Sequence, residues 1–365
     1  MLYDVRQQIG TGQAGFMAGD AQKKSLWRRA VGRFAHARRR AKFLRSVNHL
    51  HGSPLTDADP DRVIVVALVR DGIYYMDEFL RHYRALGAAQ FVFCDNGSTD
   101  GTLERAMAEP DTVVLQSSLR WGEIENLFRR HAAETYARGG WCLFADMDEI
   151  FDFEGAARIG LPGLVRYLGA QGYSALIAQM LEMFPDAPLA DVAKMPYAEV
   201  LDTFCHYDLR AIRARGYHDP TLDFAWFLRD NTVADQAVQV LFGGVRKRVF
   251  DEDCCLTKHP LVRVDGQTVP GLHPHCAANV ACADMTALIR HYKFANDPAA
   301  RDRDTLARGA IAHGEDRKRL KRFDDVPGLS LWSEGAQRYD GPKALCDQGF
   351  LVRSAAYERY LEGQA

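Results

Sequence analysis

A chain of 365 residues with 47% apolar and 26% charged side chains has material for one large or two ordinary domains with a buried core. A net charge of −2 favours no nucleic-acid or acidic partner over the whole length, and no run of eighteen apolar residues marks a membrane-spanning helix. The eight cysteines do not make a disulfide scaffold in a chain this long. No C-x-x-C occurs, Cys254 and Cys255 are adjacent, and reduced thiols are expected. No compact apolar core precedes a small-residue cleavage site at the N-terminus, so no signal peptide is expected.

The first ~20 residues carry Gly10, Gly12, Gly15 and Gly19 and are expected to be poorly ordered. From Ala21 to Thr56 the sequence contains no acid but includes Lys23, Lys24, Arg28, Arg29, Arg33, Arg38, Arg39, Arg40, Lys42 and Arg45. Leu26, Ala30, Phe34, Ala37, Ala41 and Leu44 recur at three- and four-residue steps, which predicts a basic amphipathic helix from Ala21 to about Leu50. Such a helix either lies on an anionic membrane surface, with Trp27 as its interfacial anchor, or packs on the rest of the protein with a solvated basic face. No recognition motif for nucleic acid accompanies the charge. Ser53-Pro54 through Asp59-Pro60 reads as a linker, giving an extension and linker over 1–59.

An α/β pattern follows. Arg62 to Val69 is a continuous β-branched run, as expected of a parallel strand buried on both faces. Ile73 to Leu86 reads as a helix closed by Gly87, and Gln90 to Cys94 as a second strand. Asp95-Asn-Gly-Ser-Thr-Asp-Gly101 is a loop opening a short helix at Thr102. Val113 to Gln116 is a third strand, Glu123 to Arg138 a helix, and the run from Trp141 a fourth strand. This alternation with short connections predicts a doubly wound sheet whose ligands bind outside the carboxyl ends of its strands. Beyond it, Tyr173 to Met183 reads as a strand, and Asn231 to Val240 and Met285 to Tyr292 as helices. Arg301 to Arg322 is expected to be helical, and Gly341 to Leu361 to form a further helix pair.

The stretch Trp141-Cys-Leu-Phe-Ala-Asp-Met-Asp-Glu-Ile-Phe151 carries the strongest chemical signal. An apolar strand ends in Asp146, Asp148 and Glu149, and side chains alternate along a strand, so Asp146 and Asp148 are expected to point the same way at its exit. Two like charges held close favour a cation between them, and oxygen ligands suit Mg²⁺ or Mn²⁺. Such an ion takes its remaining ligands from phosphates and water, which points to a nucleotide-diphosphate site. Asp95, at the tip of the second strand, can accept from a ribose hydroxyl or a base N–H, or can form an Asx-turn. Val69 and Arg70, after the first strand, sit where a base stacks and where a guanidinium meets a phosphate.

The stretch from Val69 through Leu86-Gly87, followed by Phe93-Cys-Asp-Asn-Gly-Ser-Thr-Asp-Gly-Thr102 and Ala145-Asp-Met-Asp-Glu-Ile-Phe151, resembles the family 2 glycosyltransferases. More narrowly, it resembles the bacterial branch related to the family 92 enzymes. The resemblance continues in order through Leu181-Glu-Met-Phe-Pro-Asp186, Gly243-Gly-Val-Arg-Lys-Arg-Val-Phe250, Leu256-Thr-Lys-His-Pro-Leu261, Ile289-Arg-His-Tyr-Lys-Phe294 and the Ser333 to Leu351 segment. It covers the chain from about Asp61 onwards. The first block departs from the family pattern: Arg70-Asp71-Gly72 stands where Lys-Asn-Glu is usual, and Phe79 replaces a Trp.

The resemblance implies a GT-A fold, a Rossmann-like nucleotide-diphospho-sugar sheet over 60–300, with helical N- and C-terminal extensions, the latter over 301–365. It implies Asp146 and Asp148 on a metal and the diphosphate, and Asp95 on the nucleoside. It also implies a late histidine in the metal shell, with His291 the first choice and His273 the second. Lys258, Arg246 and Arg248 are candidates to hold phosphates. A carboxylate that takes a proton from the acceptor is sought among Glu182, Asp186 and Glu149, with Asp208 and Asp223 behind them.

The expected activity is metal-dependent transfer of a sugar from a nucleoside-diphosphate donor, UDP first, onto a cell-surface glycan or lipid-linked acceptor. The expected place is the cytoplasm, at the inner face of the cytoplasmic membrane if residues 21–50 bind it. A nucleotidyltransferase uses similar strand-end acids, but needs a basic glycine-rich loop where this chain has Asp71-Gly72. A nucleotide- or sugar-binding scaffold is the non-catalytic alternative.

Overall fold

The computed structural model describes residues 37–56, 59–308 and 314–364. The chain divides into two compact units, Met1–Val47 and Asn48–Ala365. In the first, residues 37–46 form a helix, α1, with Arg38, Arg39, Arg40, Lys42 and Arg45 exposed. The rest of the basic segment, Trp27 included, lies outside the described residues. The helix expected to reach Leu50 ends at Ser46. Leu50 belongs instead to a strand, because a sheet edge offers its backbone hydrogen bonds that outweigh local propensity.

The second unit opens with that strand, β1 (Asn48–His51), then β2 (Val63–Val69), α2 (Ile73–Ala85), β3 (Gln90–Asp95), α3 (Thr102–Met107), β4 (Thr112–Gln116), α4 (Trp121–Tyr136), β5 (Trp141–Phe144) and β6 (Glu149–Asp152). Next come α5 (Ala156–Ala170), β7 (Ala175–Glu182), α6 (Tyr197–Thr203), β8 (His206–Tyr207), β9 (Ile212–Gly216), α7 (Ala225–Leu228), β10 (Thr232–Val233), β11 (Gln239–Gly243) and α8 (Gly244–Phe250). The last part holds β12 (Thr257–Arg263), β13 (Val269–His273), β14 (Cys276–Ala278), β15 (Ala281–His291), α9 (Pro298–Arg308), α10 (Glu315–Asp325), β16 (Gln337–Arg338), α11 (Gly341–Asp347) and α12 (Ala355–Glu362).

The architecture is α/β, built on a ten-stranded, mainly parallel sheet in the order β1-β4-β3-β2-β5-β12-β7-β15-β10, with β6 paired to β15. Every residue of β2 is buried, as its unbroken Val/Ile/Leu run requires of a strand covered on both faces. Each such side chain removed from water contributes about 1.5–3 kcal/mol. Helix α2 turns Tyr75, Met76, Phe79, Leu80 and Tyr83 inward. It stops at Gly87, whose φ of 87° lets its N–H reach the Arg84 carbonyl (2.9 Å) while the Ala88 N–H reaches Tyr83 (3.0 Å), a Schellman closure.

Two expected helices are strands. Met285 to Tyr292 falls mostly in β15, where Met285, Ala287, Leu288 and Ile289 are all buried between neighbouring strands. A short continuous apolar run has no period that separates buried strand from buried helix, and pairing with β7 decides it. Asn231 to Val240 contains β10 and the start of β11, separated by a turn in which Asp235 accepts from the Ala237 N–H (2.8 Å). That side-chain bond offers the backbone an alternative to a helix. The charged segment expected as Arg301 to Arg322 forms two helices, α9 and α10, with residues 309–313 outside the described residues. All eight cysteines are free thiols. Among the described residues no helix is long and apolar enough to cross a membrane.

Candidate functional site

Strand direction gathers the chemical residues at one edge of the sheet. From β2 the sheet grows one way through β3 and β4 and the other way through β5, so the order reverses between β2 and β5, where a crevice forms beyond the strand ends. Strand β12 runs antiparallel to β5 and pairs Leu261 with Leu143, which carries its first residues, Lys258 among them, to the exit of β5. Strand β7 is antiparallel to β12 and parallel to β15, and the register pairs Glu182 with His291. His291 is also paired with Glu149 of β6. Five separate strands thus deliver Val69, Glu149, Lys258, Glu182 and His291 to one place.

The acids themselves sit one step beyond the strand. Strand β5 ends at Phe144, and Asp146 to Glu149 form a tight turn closed by the Glu149 N–H on the Asp146 carbonyl (3.0 Å). Turn geometry, not strand alternation, therefore brings Asp146 and Asp148 onto the same cavity. The turn is fixed from both sides. The Tyr292 N–H donates to the Asp148 carbonyl (2.8 Å), and Tyr83 of α2 donates from its hydroxyl to the Glu149 carbonyl (3.0 Å). His291 is likewise the last residue of a strand, not part of a helix, and its carbonyl accepts from the Met183 N–H (2.9 Å).

A cavity of about 760 Å³ opens here, bordered by Val69, Arg70, Asp146, Asp148, Lys258 and His291. Glu149, Asp223, Arg246 and His273 also border it. Asp95, Glu182, Asp186, Asp208 and Arg248 are not on its wall.

Each acid is met by a protein cation. Lys258 Nζ is 3.0 Å from Asp146 Oδ2 and also bonds Glu149, whose side chain is only 3% exposed. Arg129 Nη2 stands 3.4 Å from Asp146 Oδ1. Burial alone would raise the Asp146 carboxyl, but the Lys258 ammonium and then the Arg129 guanidinium hold it well below the usual carboxylate range. Burial also acts to lower Lys258, and the two carboxylates override it and push it up. Asp148 follows the same logic: burial raises it, and His291, then Lys293 and Arg301, take it far down.

His291 is held between carboxylates. Its Nδ1 donates to Glu182 Oε1 at 3.0 Å, and its Nε2 lies 3.6 Å from Asp148 Oδ2. Burial favours the neutral ring, yet Glu182 and Asp148 raise the imidazole to about 9. Glu182 is buried and accepts from His291, with Arg246 Nη1 3.8 Å away, so it orients the histidine from behind the cavity wall. Arg246 in turn bonds Glu252 (2.7 Å) and Glu315 (3.0 Å).

Most of the remaining candidates are engaged by other protein groups. Asp95 is fully buried and accepts from the Gly97 N–H (2.8 Å), the Ser98 N–H (3.1 Å) and Gln116 Nε2 (2.9 Å), which organises its own loop. The rest of that motif binds the neighbouring loop: Ser98 Oγ accepts from the Asp71 N–H (2.9 Å), Asp100 from Ile73 (3.1 Å) and Thr102 from Gly72 (2.8 Å). Arg70 donates to the Asn96 carbonyl (3.0 Å). His273 Nδ1 accepts from the His275 N–H (3.2 Å), and the ring stacks on Phe224 at 5.3 Å. Burial, and then Arg129, lower His273 to about 4, so it is neutral. Asp186 is exposed, while Asp208 is buried against Arg210 (3.0 Å) and Arg248 (3.4 Å). Asp223 is exposed on the cavity wall and forms no side-chain hydrogen bond or ion pair among the described residues.

Arg129 was legible but missed. It lies on the apolar stripe of α4 with Ile124, Phe128, Ala132, Ala133 and Tyr136, and a charge on a buried stripe signals a buried partner. Lys293 and Arg301, which also border the cavity, gave no such signal.

The residues present fit a divalent cation in part. Asp148 and His291 offer an oxygen and a nitrogen facing each other, and Glu182 behind His291 is the carboxylate that commonly orients a metal-binding imidazole. Asp146 instead meets Lys258 and Arg129, and among the described residues no three His, Cys, Asp or Glu side chains are grouped to hold a metal ion. No family model matches the chain, and no curated protein is significantly similar to it.

Proposed function

We propose that the chain is a metal-dependent glycosyltransferase with a GT-A fold, moving a hexosyl group from a nucleoside-diphosphate donor onto a glycan or lipid-linked acceptor. One observation carries the reading: two strand-end acids, Asp146 and Asp148, border a charged cavity at the switch point of the sheet, with His291 against one of them. Asp148 and His291, joined by Asp146 once it is released from Lys258 and Arg129, would hold Mn²⁺ or Mg²⁺, which would supply positive charge to a leaving diphosphate.

The chain's own side chains account for the rest. Lys258 and Arg129 neutralise Asp146 and keep the cavity receptive to an anion. In the transfer, the acceptor oxygen bonds the anomeric carbon, the carbon–oxygen bond to the diphosphate breaks, and its electron pair leaves with the diphosphate. Asp223 is our assignment for the carboxylate that takes the acceptor proton, because it alone of the proposed bases both borders the cavity and lacks a side-chain partner among the described residues. Glu182 is assigned to positioning His291. The exposed arginines of α1 suit an anionic bilayer near a lipid-linked acceptor. Vesicle binding lost on charge reversal of Arg38, Arg39 and Arg40 supports that contact, and no binding by the intact protein ends it.

The test is thermal stabilisation by UDP, GDP, CMP and dTDP, each with and without Mn²⁺, on wild type and Asp148→Ala. A ligand at a hundred times its dissociation constant adds about 2.7 kcal/mol. A metal-dependent rise with one nucleotide, absent in the variant, is expected; no rise with any nucleotide sinks the proposal. A binding scaffold without turnover is the second reading, favoured by the neutralisation of both acids by Lys258 and His291. Release of nucleotide from a nucleotide sugar excludes it.

A further inference from the structure

A second cavity, of about 720 Å³, adjoins the first, and the two share Arg70, Asp71, Trp121, Asn296 and Arg301. Their characters differ. The second has Ile73, Tyr74, Leu119 and Trp121 on its wall among charged residues that include Asp100, Asp304 and Arg308, and those four offer a surface for a flat, weakly polar group, whereas the first holds Asp146 and Asp148 with their cations. A ligand occupying both would have an apolar planar end, a polar end, and a linker crossing the shared wall.

Arg301 stands at that wall. It is presented from the first turn of α9, where its N–H donates to the Asp297 carbonyl (3.0 Å), so its backbone is fixed. One guanidinium nitrogen, Nη2, donates to the Lys293 carbonyl, and Nε is buried with no partner. No carboxylate pairs with this guanidinium among the described residues, although five donors are available on it. Its charge already acts on Asp148, but the buried Nε donor, beside Lys293 and facing two cavities, is costly until an acceptor completes it. Helix α9 is also clasped across the second cavity by Arg308, 3.4 Å from Asp71 on the loop after β2.

We propose that Arg301 is a phosphate-binding residue, gripping the anionic linker of a ligand that spans both cavities. This rests on the nucleotide reading of the cleft, and it makes α9, from the charged C-terminal segment, part of the ligand site. Charge-assisted hydrogen bonds from a guanidinium to phosphate are worth about tenfold or more in affinity.

The experiment is calorimetric titration of the full chain with UDP, GDP, uridine, guanosine and inorganic pyrophosphate. The proteins are wild type, Arg301→Ala, Arg301→Lys and Arg303→Ala. Arg303, on the same helix, is exposed and pairs with Asp324, so it controls for loss of charge. Near-UV circular dichroism checks that each variant is folded. We expect Arg301→Ala to weaken the diphosphate about tenfold or more and leave the matching nucleoside unchanged. Partial recovery is expected in Arg301→Lys, and no effect in Arg303→Ala. Equal weakening of diphosphate and nucleoside, or none, overturns the assignment. Arg301-dependent binding of pyrophosphate without binding of any nucleotide keeps the anion site and removes the nucleotide reading. Wild type that binds none of these probes overturns both.

Discussion

The imidazole of His291 bridges Asp148 and Glu182, with Nε2 3.6 Å from Asp148 Oδ2 and Nδ1 3.0 Å from Glu182 Oε1. The three residues come from the β5–β6 turn, β7 and β15, so a single ring ties together elements more than a hundred positions apart in sequence. Because the ring is buried, its charge is set by these two carboxylates and not by solvent.

A pH dependence follows, in metal-free protein. His291 is raised from an ordinary 6.5 to about 9, so the folded state binds its proton more tightly than the unfolded chain does. The resulting stabilisation is complete below about pH 6.5 and is lost as pH rises through about 9. Its size is about 3 kcal/mol. Urea unfolding of wild type and His291→Gln from pH 6 to 10 should show the gap between them closing over that window. A gap that stays constant counts against the ion pairs. If Mn²⁺ takes the Nε2 position, its binding near neutral pH should release a proton, visible as a buffer-dependent heat of binding.

Lys258 is expected to matter for stability before it matters for ligands. Glu149 is almost wholly buried and bonds Lys258, and burial pushes its carboxyl up even with the ammonium beside it. Lys258→Met leaves that carboxylate without a counter-charge and should cost about 3 kcal/mol. Adding Glu149→Gln should restore much of the loss, since the uncompensated charge is then gone. A double-mutant cycle by urea unfolding reads this as a coupling of about 1 kcal/mol or more. Simple additivity of the two changes would show that the pair does not interact.

The α9–α10 pair is anchored by one buried arginine. Arg319 is 2% exposed, bonds Asp302 through two nitrogens (2.6 and 2.7 Å), and bonds Glu252 at 2.9 Å. Glu252 also accepts from Arg246, which approaches Glu182 and through it His291. Arg319→Met strands the buried carboxylate of Asp302, removes one of the two cations on Glu252, and should cost about 3–5 kcal/mol. The measurement is unfolding free energy, with hydrogen exchange expected to rise first in α9 and α10. A loss below about 1 kcal/mol would mean that helix packing, not this cluster, holds the segment.

What the sequence made legible was the half of the sheet with a regular rhythm. Strands β2, β3, β4 and β5 and helices α2 and α4 follow from β-branched runs, helical spacing and glycine closures, and these elements form the crevice and lead to the turn that carries its acids. The other half was not legible because its strands are specified by neighbours. The segment Met285-Thr-Ala-Leu-Ile reads equally well as helix, and only β7 on one side and β6 or β10 on the other make it a strand. That error moved His291 onto the wrong kind of element while leaving it the right residue to watch. Glu182 shows the opposite case. An acid at a strand end suggests a base, but whether it meets a substrate or another side chain depends on a register that no local pattern reveals.

Asp95 gives a test of how far a motif can be read without its surroundings. Its position at a strand tip suggests a ligand contact, yet its oxygens are occupied by the Gly97 and Ser98 amides and by Gln116. That loop then holds the loop after β2 through Ser98, Asp100 and Thr102, so the carboxylate supports two cavity walls at once. Asp95→Ala leaves two backbone donors and an amide unpaired next to a fully buried site, and should cost about 1–3 kcal/mol in the absence of any nucleotide. Asp95→Asn keeps one acceptor oxygen and should cost less. Urea unfolding without ligand decides the matter. If both variants are as stable as wild type and only nucleotide binding falls, Asp95 serves the ligand directly and its loop stands without it.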